Sequence, residues 1–114
     1  MHEYPITKQI IEIATKHCLQ NNAKKVYEIS LVVGEYCGFV ATSIEMYFEQ
    51  ISQNTPCEGA ILIVEHIKPK LRCLGCGELF ERKMYFFSCP YCSCEGQPSE
   101  IGKEFFVKEI KIGE

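Results

Sequence analysis

The sequence lacks any apolar run approaching the roughly 20 residues needed to cross a bilayer. Its opening, Met1-His2-Glu3-Tyr4-Pro5, has neither the basic cluster nor the apolar stretch of a signal peptide. Both absences point to a soluble, cytoplasmic chain without a membrane partner. Surplus positive charge is missing too: a net charge of −3 gives no general attraction to phosphate backbones. There is no Ser-His-acid pattern and no phosphate-cradling glycine loop, so nothing marks an enzyme. Internal repeats and low-complexity tracts are absent. At 114 residues and 46% hydrophobic, the chain can build one compact core plus a small metal-stapled module, not two full domains.

What is abundant is cysteine, eight in all. In a secreted mini-protein this would suggest a disulfide scaffold, but without a signal segment the paired spacing favours reduced thiols holding metal. The pairs are Cys73-Leu74-Gly75-Cys76 and Cys89-Pro90-Tyr91-Cys92, separated by twelve residues. Each two-residue gap lets one tight turn aim two thiolates at a single ion, and Gly77 and Pro90 suit such turns. The segment from Lys68 to Pro98 is too short to fold on apolar burial alone, whereas structural zinc contributes on the order of 10 to 16 kcal/mol in small peptide sites. All three histidines, His2, His17 and His66, fall outside it. The expected site is therefore four thiolates around zinc, closed and structural, with rubredoxin-like iron as the alternative metal.

Around this segment the pattern reads helix, strand, helix, strand, ribbon, strand. Ile6, Ile10, Ile13 and Ala14 recur at helical spacing up to Leu19, and Asn21-Asn22 end that helix. Val26 to Val33 reads as a strand with Tyr27, Ile29, Leu31 and Val33 on one face. Thr42 and Glu45 have the offset of a capping box before Ile44, Tyr47, Phe48 and Ile51. Asn54-Thr55-Pro56 is turn chemistry, Ala60 to Ile67 reads as a strand, and Phe105, Phe106, Val107, Ile110 and Ile112 form the last one. The fold class expected is α+β: two helices packed on a small, three-stranded, mostly antiparallel sheet, with an inserted four-cysteine zinc ribbon. The domains expected are 1–67 plus 99–114 for the α+β body and 68–98 for the ribbon, whose two ends must lie close together.

The opening residues allow a second metal site. A histidine beside a free α-amine can form fused chelate rings through the Met1 amine, the His2 backbone nitrogen and the His2 imidazole, with a fourth donor from Glu3 by carboxylate or backbone nitrogen. Divalent nickel and copper favour such planar, nitrogen-rich ligation, and zinc does not. The competing reading is a solvated terminal side chain.

Met-His-Glu-Tyr at the start, Val-Gly-Glu after the first strand, Tyr-Phe-Glu in the second helix, Cys-x-x-Cys then Cys-Pro-x-Cys, and the Phe-Val-Lys-Glu-Ile ending together resemble the HypA/HybF family of hydrogenase nickel incorporation proteins over nearly the full length. The resemblance implies a nickel metallochaperone that delivers nickel to the large subunit of nickel-iron hydrogenase with a maturation GTPase as partner. In some members urease maturation, with its accessory proteins, is served too. By position His2 would bind nickel, with Met1 and Glu3 beside it, and Cys73, Cys76, Cys89 and Cys92 would hold structural zinc; nickel is then cargo and zinc the resident cofactor. Two departures stand out. Cys94 replaces the small polar residue usual in the family, leaving a spare thiol or thiolate exchange at the ribbon, and Pro5 biases the Met1 to Tyr4 tail toward an extended, accessible form.

The remaining candidates have plainer readings. Cys18 reads as a small buried hydrophobe, Cys37 and Cys57 as free loop thiols, with a nickel-transfer role as their alternative, and His17 and His66 as hydrogen-bonded structural histidines. Tyr85, Phe86, Phe87 and Tyr91 beside Lys68, Lys70, Arg72, Arg82 and Lys83 could form a stacking platform for single-stranded nucleic acid. The ribbon's five basic against three acidic residues would neutralise few phosphates, so aromatics filling a sparse core is the preferred reading. The alternative function is accordingly a zinc-ribbon adaptor for nucleic acid or transcription machinery. A homodimer that exchanges the terminal strand stays open.

Overall fold

A computed structural model describes residues 3–81 and 88–114. The element order is α1 (Glu3–Gln20), β1 (Lys25–Gly34), α2 (Ala41–Ile51), β2 (Ile61–Ile67), β3 (Lys70–Cys73), β4 (Leu79–Glu81), β5 (Gly96–Pro98) and β6 (Phe105–Gly113). Two helices accompany a three-stranded sheet of order β2-β1-β6, and the four-cysteine segment carries a second sheet of order β4-β3-β5, so the class is α+β. The chain divides into two compact units: Met1–Val32, Phe39–Glu65 and Phe106–Glu114 form one, and Val33–Gly38 with His66–Phe105 form the other.

In the first unit α1 begins at Glu3, ahead of the expected Ile6, and Tyr4 is helical. The expectation of an extended Tyr4 is thus corrected. Pro5 sits in the first turn, where a missing N–H has no intrahelical partner to lose and the fixed φ suits a helix. The buried stripe runs Glu3, Thr7, Ile10, Ile11, Ala14 and Cys18. Ile13, assigned to that stripe from periodicity, lies 53% exposed because it falls outside the arc traced by the others. Asn22 then takes a left-handed φ of 57°, and the Ala23 N–H closes back on the Cys18 carbonyl at 3.0 Å, a C-terminal cap that asparagine tolerates.

Central strand β1 buries Val26, Ile29 and every residue from Leu31 to Gly34. Of the residues expected on one face, Ile29, Leu31 and Val33 are buried, whereas Tyr27 is exposed, and its hydroxyl donates to the Glu114 carbonyl at 2.6 Å. In α2, Ile44 and Phe48 are buried and Tyr47 and Ile51 half-buried, as the spacing predicts. The capping box does not form: Val40 is the N-cap, with no side-chain cap hydrogen bond. The Val40 N–H instead donates to Glu3 Oε2 at 3.1 Å, and the Tyr4 ring meets Tyr47 edge-on with centroids 5.5 Å apart. Both contacts join the start of α1 to α2.

The second unit has its own small core, Cys73, Phe80 and Cys89 with Leu71 packed against them. Leu71 pairs with Phe80 on one side and Pro98 on the other, both antiparallel. The expected approach of the segment's ends is observed: the Ser99 hydroxyl donates to the Lys70 carbonyl at 2.6 Å. Gly34 enters this unit where no side chain fits, since a Cβ there would stand 2.2 Å from the Gly102 carbonyl oxygen.

Candidate metal centre

Strand β3 ends at Cys73, and the turn after it carries Cys76. The second turn carries Cys89 and Cys92 and is closed by the Ser88–Glu95 bridge. The turns are built alike. The Gly77 N–H donates to the Cys73 carbonyl at 3.2 Å, and the Ser93 N–H to the Cys89 carbonyl at 2.9 Å. The residue after each second cysteine is left-handed, Gly77 at φ 78° and Ser93 at φ 66°. Glycine adopts this without strain and serine against a modest penalty.

These turns bring the four sulfurs within 4.8 Å of one another. Cys73 Sγ lies 3.2 Å from Cys92 Sγ, and Cys76 Sγ 3.7 Å from Cys89 Sγ. A tetrahedral ion with metal–sulfur bonds near 2.3 Å needs sulfur–sulfur edges of about 3.8 Å, so the cage is the size of one such ion. Backbone amides already point at the sulfurs: Gly75 and Cys76 N–H groups reach Cys73 Sγ at 3.2 and 3.3 Å, and the Tyr91 N–H reaches Cys89 Sγ at 3.4 Å. The amide of Cys76, above all, lowers the Cys73 thiol to about 6. Cys76 receives the Glu78 N–H, which pulls its pKa down, but burial and the thiols of Cys73, Cys89 and Cys92 outweigh it and push the group up to about 12. The four-sulfur arrangement can hold a metal ion.

Of the other expected site residues, Met1 and His2 lie outside the described residues. Glu3 is placed, 8% exposed, with Oε2 on Val40 N–H. That hydrogen bond is the chief cause holding its carboxyl below the usual range, against the opposing effect of burial. The sequence reading missed this link, although Glu3 stands four residues before Thr7 and seven before Ile10 on the buried stripe. Phe80, the main apolar residue of the second unit, was likewise not singled out.

Cys18 is fully buried, as expected. Cys57, read as a loop thiol, is also fully buried; its Sγ lies 3.7 Å from Thr15 Oγ1 and 3.8 Å from the Ile11 carbonyl, and burial pushes its thiol up. His17 and His66 are exposed, and neither joins the sulfur cluster. Tyr91 is 72% exposed, which corrects its reading as ribbon core: the turn that aims Cys89 and Cys92 inward leaves the residue before Cys92 outside. Tyr85, Phe86, Phe87, Arg82 and Lys83 lie outside the described residues. Among the described residues, no helix is long and apolar enough to cross a membrane.

Comparison with known proteins agrees with this geometry. The family described as "Hydrogenase/urease nickel incorporation, metallochaperone, hypA" matches residues 1–112. A hydrogenase maturation factor HypA of Caldanaerobacter subterraneus is 32% identical, covering 98% of this chain and 99% of the relative. One from Dehalococcoides mccartyi is 38% identical, covering 98% and 94%. Two solved structures share the fold: a HypA solution structure (TM-score 0.71, 23% identity, 98% of this chain and 96% of that one) and the Ni metallochaperone HypA from Helicobacter pylori (TM-score 0.64, 21% identity, 97% of each). The full-length match and these relatives establish that the chain belongs to the HypA family of nickel-incorporation metallochaperones, which are maturation factors and not enzymes.

Proposed function

We propose that this chain binds Ni(II) at Met1, His2 and Glu3 for insertion into a nickel-iron hydrogenase, while Cys73, Cys76, Cys89 and Cys92 hold a structural Zn(II). For zinc, the supporting observation is the cage itself: four sulfurs within 4.8 Å of one another, with no histidine or carboxylate among them. Such a set suits a closed tetrahedral site with no position left for water. When bound, zinc supplies the fixed point that the small Phe80 core cannot supply alone.

For nickel, the carrying observation is the anchoring of Glu3. With Oε2 accepting the Val40 N–H, this residue fixes the start of α1 to α2. Nickel ligation then uses the Met1 amine, the His2 backbone nitrogen and imidazole, and the Glu3 backbone nitrogen, a planar nitrogen set that nickel favours and zinc does not. The Glu3 carboxylate serves as the anchor.

The partners in this reading are the maturation GTPase, the hydrogenase large subunit and, where urease is the client, its accessory proteins, all in the cytoplasm. Equilibrium dialysis of untagged protein tests it. His2→Ala should abolish tight nickel binding and leave the zinc content unchanged, and a tag fused ahead of Met1 should do the same by turning the amine into an amide. Nickel binding by His2→Ala equal to wild type would overturn the assignment. Salt-sensitive retention of single-stranded nucleic acid, unchanged in that variant, would instead support the adaptor reading.

A further inference from the structure

Cys94, two residues past Cys92, is exposed, and its carbonyl accepts the Cys89 N–H at 2.8 Å. That bond and the left-handed Ser93 turn the chain back, so that the Cys94 side chain lies over the first cysteine turn. A Cβ built on Gly75 would stand 2.6 Å from Cys94 Sγ and 3.4 Å from Cys92 Sγ. Both sulfurs thus crowd one point, and the absent side chain of Gly75 makes the room. Cys94 is not one of the four clustered sulfurs, yet its sulfur borders the same Gly75 position as that of Cys92, a cage residue that is itself exposed.

We infer that Cys94 is a peroxide-sensitive modification site that opens the metal cage by forming a disulfide with Cys92. The metal-release half rests on the zinc reading above; the disulfide half rests on the placement of the two thiols. A thiolate bound to an ion shares its lone pairs with that ion, which leaves the unligated Cys94 sulfur as the first nucleophile. It attacks a hydroperoxide: a sulfur–oxygen bond forms, the oxygen–oxygen bond breaks, and the thiol proton leaves with the departing oxygen as water or alcohol. The Cys92 thiolate then attacks the Cys94 sulfenic acid at sulfur, forming the disulfide and expelling hydroxide. The two sulfurs together have given two electrons to the peroxide. Three sulfurs remain on the ion, the closed tetrahedral site is broken, and a dithiol reductant restores it.

The test uses the full-length zinc-loaded chain, wild type and Cys94→Ser, each treated with one equivalent of hydrogen peroxide. Zinc release is followed with a chromogenic chelator, and the tryptic peptide 84–103 is mapped for disulfides by mass spectrometry. The expected result is release about tenfold faster from wild type, with a Cys92–Cys94 disulfide that dithiothreitol reverses. Equal rates in the two proteins, or disulfides confined to Cys73, Cys76, Cys89 and Cys92, would overturn the inference. If the isolated chain carried no zinc, the zinc reading would fail by itself, and the peptide map would still decide the role of Cys94.

Discussion

Phe80→Ala should weaken metal binding by a residue that touches no metal. Phe80 is 6% exposed and forms, with Cys73, Cys89 and Leu71, a small buried apolar cluster of the second unit. Its ring is packed so closely on β5 that a Cβ at Gly96 would stand 2.4 Å from the ring's Cζ atom. Truncating a buried phenylalanine removes its transfer free energy and leaves a cavity, together about 3 to 5 kcal/mol. A unit with so small a core has little stability in reserve without metal, so the loss should appear in the linked equilibrium of folding and metal binding. At 1.4 kcal/mol per factor of ten, 3 kcal/mol corresponds to about a hundredfold weaker zinc binding. Competition against a chromogenic zinc chelator near neutral pH measures this, and far-ultraviolet circular dichroism checks that α1 and α2 persist. Zinc affinity of Phe80→Ala within about threefold of wild type would refute the coupling of metal to fold.

Three further outcomes follow from single contacts. The Glu3 carboxyl is depressed in the folded chain, so its contribution to stability is present above its unfolded value and is lost as pH falls through the lower folded one; the melting-temperature gap between wild type and Glu3→Gln should hold near pH 6 and close on acidification, and a gap independent of pH would contradict the Val40 anchor. Gly34→Ala should destabilise the chain by about 1 to 3 kcal/mol in chemical denaturation, because the added methyl meets the Gly102 backbone, and a neutral effect would mean that this approach is not close. Cys57 should resist alkylation at mildly alkaline pH in the native protein while Cys94 reacts, since burial raises the Cys57 thiol and covers it; equal labelling would contradict its placement.

The clustering of the four cysteines was the most legible part of the molecule, because a two-residue gap between cysteines is a local constraint that the turn itself enforces. The helices were legible for a similar reason: Ile44, Tyr47, Phe48 and Ile51 fall on one arc whatever else the chain does. Interactions between distant residues were not. Nothing near Val40 shows that its N–H is met by Glu3, 37 residues earlier, and that long-range bond stands at the helix start where Thr42 and Glu45 spell a capping box that does not form. Tyr27 obeys the alternation of a strand but lies exposed, its hydroxyl turned to the carbonyl of Glu114. Pro5 misled for the opposite reason: its local bias against helix in Tyr4 is overridden by the contacts of Glu3 and Tyr4 with α2.

X-ray absorption at the zinc and nickel edges of untagged, nickel-loaded protein tests the two-site account most directly. The account predicts a zinc edge with four sulfur neighbours at about 2.3 Å and a nickel edge with four nitrogen neighbours and no sulfur. Sulfur scattering at the nickel edge, or a zinc shell containing nitrogen, would contradict it.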